Sequence, residues 1–142
     1  MALTDTFHSL NFAALARAVA YGLAIVLPVT ALSVWFINQG DDTSPAWALV
    51  GLVAVLAGFA FAGVQVAKAP IDLPYTHGAL AGLITFALAQ AIVLAISAAV
   101  GREGEIHFAA ITANAFLAAS AGMLAAIITS RFNRNAKRKT GI

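Results

Sequence analysis

The stretch from Leu73 to Gly101 reads LPYTHGALAGLITFALAQAIVLAISAAVG and holds no Asp, Glu, Lys or Arg. It exceeds the ~20 apolar residues that a helix needs to cross ~30 Å of hydrocarbon. Three further stretches are free of these charges over comparable lengths: Ala18–Gly40, Thr43–Ala67 and Ile106–Ser130. All eight Lys and Arg residues and all six Asp and Glu residues fall outside the four stretches. The fold class expected is therefore all-α, a polytopic membrane protein made of a bundle of four transmembrane helices.

Composition agrees. Of 142 residues, 61% are hydrophobic and 10% charged, outside the range of ordinary soluble domains. Four spans leave only short loops and two short tails, so one domain covering residues 1–142 is expected. With no cysteine, disulfides, thiol catalysis, iron–sulfur clusters and cysteine zinc sites are excluded. The region before the first span carries Asp5 and one cation, Arg17, and Ala31-Leu32-Ser33 is a poor cleavage site. The first span therefore reads as an uncleaved helix rather than a signal peptide.

Local punctuation places the helices at about 14–38, 45–68, 76–100 and 106–132. Ser44-Pro45 supplies an N-cap followed by proline at the first helical position, and Thr76 is a candidate cap for the third helix. Pro28 is expected to kink the first helix, with Thr30 and Ser33 near enough to bond carbonyls there. Leu3, Phe7 and Leu10 share a helical face, which suits a short helix on the membrane surface as well as a frayed tail.

Charge predicts orientation. Arg17, Lys68, Arg131, Arg134, Lys137, Arg138 and Lys139 share one side, and Arg102 alone lies on the other. By the positive-inside rule both termini are expected to be cytoplasmic. The loops placed outside carry Asp41, Asp42, Glu103 and Glu105, and Trp35 and Trp47 fall at the outer interfacial belt.

The candidate functional residues are few. No Asp, Glu, Lys or Arg lies deep in a span, so proton relays and ion-coupled transport lack the charge on which their driving force acts. His8, His77 and His107 lie in tails or at span ends, with the last two at opposite ends, and give no ligand pair for haem. The four acidic loop residues are read as solvated caps and topology markers rather than a calcium site. No catalytic residue, cofactor or metal is expected, and the chain is not expected to be an enzyme. Gln90 and Asn114 are the polar pair expected inside the membrane, at similar depths in the third and fourth spans. They read as interhelical hydrogen-bonding glue, or as the polar spot of a groove or pore.

Small residues mark the expected packing faces. Gly58 lies in a ladder on the second helix, and Gly78 and Gly82 make a GxxxG spacing on the third. Ala110, Asn114, Ala118, Gly122 and Ala126 make a four-residue ladder on the fourth. The tail from Arg131 to Lys139, with Arg134, Lys137 and Arg138 between, suits anionic lipid headgroups and anchors topology. It lacks a folded nucleic-acid reader, so no nucleic-acid partner is expected. Beyond the bilayer, the expected partners are another membrane protein or further copies of the chain.

Ala57-Gly58 through Pro74, then His77-Gly78-Ala79-Leu80-Ala81-Gly82, then Ala118-Ala119-Ser120-Ala121-Gly122 with a basic end, resembles a group of bacterial proteins. These are small four-span membrane proteins without an assigned activity, actinobacterial ones among them. The resemblance implies topology and bacterial origin. It leaves function to the residues, which favour a binding or accessory subunit over a holin-like self-assembling pore or a small passive transporter or lipid-handling protein.

Overall fold

The structure, a computed structural model, describes residues 10–38, 45–69, 73–99 and 108–140. The expectations for the N-terminal segment, for the acidic loop residues and for the side chains of Trp35 and Trp47 fall outside what is described. Four helices make up the described chain: α1 (Phe12–Asn38), α2 (Pro45–Ala67), α3 (Pro74–Ala99) and α4 (Phe108–Thr140). Each contains a window long and apolar enough to cross a membrane. The protein is an all-α four-helix bundle of membrane-spanning type.

The helix limits have local causes. Asn11 caps α1: its Oδ1 accepts from the backbone N–H of Ala14 at 3.0 Å, satisfying one of the unpaired donors at a helix start. Pro45 opens α2 and Pro74 opens α3, in first-turn positions where a missing N–H costs nothing. Thr76 therefore lies inside the first turn of α3 and does not cap it. Pro28 sits on the exposed side of α1, which continues through it. The Thr30 and Ser33 hydroxyls donate to the carbonyls of Val26 and Val29 at 2.8 and 2.9 Å.

α4 differs most from expectation, running 33 residues to Thr140 instead of ending near residue 132. Charge ends the apolar run but not the helix. No Gly or Pro interrupts residues 123–140, and cations in the last turns suit the negative end of the helix dipole.

Contacts define the layout. α2 and α3 each touch all three other helices, whereas α1 and α4 occupy opposite corners and do not meet among the described residues. Sequential neighbours are antiparallel: Gly22 approaches Ala62 and Gly58 approaches Val26, while Gly78 approaches Ala126 and Gly82 approaches Ala118. The start of α1, the end of α2 and the start of α3 thus share one end of the bundle, here called the base. At 1.5 Å per residue, α4 extends about 15 Å past the level of Pro74 there.

Packing is concentrated toward the base. Ala14, Leu15, Ala18, Ala62, Val66, Ala67, Ala81 and Ala126 form one buried cluster. Val26, Phe59, Phe86, Ala89 and Ala118 form a second above it, where the Phe59 and Phe86 rings meet edge to face with centroids 6.2 Å apart. Alanine dominates because lipid provides no hydrophobic drive to bring helices together. Close backbone approach, which only small residues permit, supplies the attraction instead. Toward the other end, residues 27–33, 49–57, 90–99 and 108–117 include no buried side chain. The exterior is largely apolar along the spans, with Leu49, Val53, Ile96, Phe116, Leu124 and Ile128 each more than half exposed. Lipid tails, not water, match such a surface.

Candidate functional site

Three places in the bundle stand out: a glycine junction, a polar node at the base, and the loosely packed upper part. At the junction, three helices come to backbone contact. A Cβ on Gly63 of α2 would collide with the Gly122 carbonyl oxygen of α4. Cβ atoms on Gly122 and Gly82 would strike the carbonyl oxygens of Gly78 and Ala118, and one on Gly78 would lie 2.6 Å from the Gly122 oxygen. Gly78, Gly82, Ala118 and Gly122 thus meet at one α3–α4 seam, and Gly63 brings α2 to the same spot. Gly58 faces α1 instead, where an added Cβ would lie 2.6 Å from Val26 Cγ2.

The node at the base was not anticipated. His77 is fully buried, although it stands only three residues inside α3. Its Nε2 accepts from the backbone N–H of Asn11 at 3.1 Å, and its Nδ1 lies 2.9 Å from the carbonyl oxygen of Leu73. An acceptor Nε2 and a Nδ1 facing a carbonyl define one arrangement: a neutral imidazole carrying its proton on Nδ1. The ring therefore ties the first turn of α3 to the cap of α1. Thr85, also fully buried, donates to the Ala81 carbonyl at 2.7 Å. The sequence signal for the node was Asn11 directly before the apolar run Phe12-Ala13-Ala14-Leu15, a capping pattern.

In the upper part, Gln90 is half-buried on α3, one residue past the buried Ala89. Asn114 is exposed on α4, as are Ala110 and Thr112, and the Thr112 hydroxyl donates to the Phe108 carbonyl at 2.9 Å. Among the described residues no hydrogen bond joins Gln90 to Asn114. In the tail, Arg131 and Arg134 are exposed, and the Arg134 Nε donates to the Ser130 carbonyl at 3.4 Å. Lys137, Arg138 and Lys139 belong to the same continuous helix.

The chain matches no protein-family model, no curated protein and no solved structure.

Proposed function

We propose that this chain is a non-enzymatic subunit of a bacterial inner-membrane assembly, acting as a binding or accessory component. One observation carries the reading. Among the described residues both buried polar side chains, His77 and Thr85, are hydrogen-bonded to backbone groups of the bundle itself, while three helices lock at backbone contact around Gly122. A bundle closed in this way holds its shape and works through its surface. The likeness to small four-span bacterial membrane proteins supports the cellular setting. The cation distribution supports cytoplasmic termini, which places the projecting end of α4 beside anionic headgroups, each nearby cation contributing ~1 kcal/mol.

The second reading, a self-assembling pore or small passive transporter or lipid-handling protein, draws on Gln90 and Asn114 in the loosely packed upper part. Planar bilayers separate the two. The purified protein is expected to give no ion current and no proton-coupled transport. Reproducible conductance that disappears in Gln90→Leu and Asn114→Leu variants would replace the subunit reading with the pore. For orientation, reporter fusions after Lys139 and within residues 38–44 are expected to report opposite compartments. Equal signals at the two sites would remove the four-span topology.

A further inference from the structure

Asn114 poses a problem that one chain does not solve. Its amide lies within an apolar span, exposed on the outside of α4, and among the described residues no hydrogen bond reaches it. Lipid tails offer no partner either, and an unpaired amide in hydrocarbon is costly. The residues around it form a pattern. Ala110, Asn114, Leu117, Ala121, Leu124 and Ile128 follow one another at alternating steps of four and three. On a helix these steps confine all six to an arc of about 80°. Leu117, Leu124 and Ile128 are 44%, 55% and 54% exposed, whereas Ala121, within the arc, is half-buried and packs against the bundle's own upper cluster. The residues that α4 turns toward the bundle, Ala118, Gly122 and Ala126, lie on a different face. This outward stripe has the spacing of a coiled-coil seam with a single asparagine in it.

We propose that the stripe is a homodimer interface in which α4 pairs in parallel with α4 of a second copy, with Asn114 hydrogen-bonded to its counterpart. The argument for a second copy rests on depth and chemistry. Every copy inserts with the same topology, so Asn114 of one stands at the depth of Asn114 of the other. A carboxamide carries both donor and acceptor, and across a two-fold axis it is its own complement. Leu and Ile alone would not select the face, because lipid is as apolar as they are, so the amide supplies the selectivity and the exposed Ala110 permits close approach beside it. The seam ends where the apolar span does: Arg131 takes the next position, and like charges part the two helices at the base. This pairing rests on the membrane-spanning fold and holds whether or not the chain is an accessory subunit.

The chain lacks cysteine, so single-cysteine variants report the interface directly. In phosphatidylcholine–phosphatidylglycerol vesicles at low protein density, oxidation is expected to cross-link Leu117→Cys and Leu124→Cys into dimers. Phe116→Cys and Leu94→Cys, exposed off the stripe, are expected to remain monomeric. Energy transfer between labelled copies on lipid dilution is expected to show Asn114→Leu dissociating roughly three- to tenfold more readily, with Asn114→Gln close to the parent. Asn114 is exposed, so neither change disturbs the fold of one chain. Equal cross-linking on and off the stripe, energy transfer at the random-encounter level, or an Asn114→Leu variant that associates as tightly as the parent would overturn the pairing.

Discussion

Gly122→Leu and Gly82→Leu are expected to unfold the bundle at far lower temperature or denaturing-detergent concentration than the parent, a loss of about 3 kcal/mol, the upper end for overpacking. The obstacle sets the size. At both positions a new Cβ meets a carbonyl oxygen of the facing helix, and backbone does not rotate away as a side chain does. The same logic ranks the other glycines. Gly63→Ala belongs with this severe class, since it meets the Gly122 carbonyl. Gly58→Ala meets the Val26 methyl, which can shift, and should cost about 1 kcal/mol. Gly51→Ala meets, among the described residues, only the Ser33 hydroxyl, at 3.3 Å, and should fall within about 0.5 kcal/mol of neutral. Unfolding titrations of the five variants check the ranking. Gly122→Leu with parental stability would show that α3 and α4 do not meet there.

This ranking also shows what was legible in the sequence. Span number and approximate limits followed from charge-free length, because a bilayer imposes one length on every helix. Glycine and alanine ladders were visible too, but not which helix each one faces. A four-residue step advances 400° around a helix, so a ladder turns about 40° per step. From Asn114 to Ala126 the drift is about 120°, which sends Ala126 into the bundle and leaves Asn114 outside it. Gly63 escaped notice because its partner, Gly122, belongs to a helix remote in sequence. The run from Arg131 onward read as a tail, since charge marks where the membrane ends and carries no instruction to end a helix.

His77 illustrates the same limit, and its variants should produce the second large effect. Near a span end, a histidine reads as an interfacial residue. Its complete burial depends on α1 beginning at Phe12 and laying the Asn11 N–H over the ring. His77→Leu fills the volume but leaves that N–H without an acceptor, at a cost of about 2 kcal/mol. His77→Ala adds a cavity and should cost about 4 kcal/mol. His77→Gln places an amide oxygen near the position of Nε2 and should recover at least half of the Leu loss. A Leu variant as stable as the Gln variant would mean that the Asn11–His77 bond contributes nothing. The bond also links two local structures. Asn11→Ala removes the cap on Ala14, worth about 1 kcal/mol, but keeps the backbone donor. If loss of the cap frays the first turn, the donor moves off the ring, so the His77→Leu and Asn11→Ala losses should combine to less than their sum by about 0.5 kcal/mol or more. Strict additivity in the double variant would separate capping from the node, and the imidazole would then bind a segment that is held in place by other contacts.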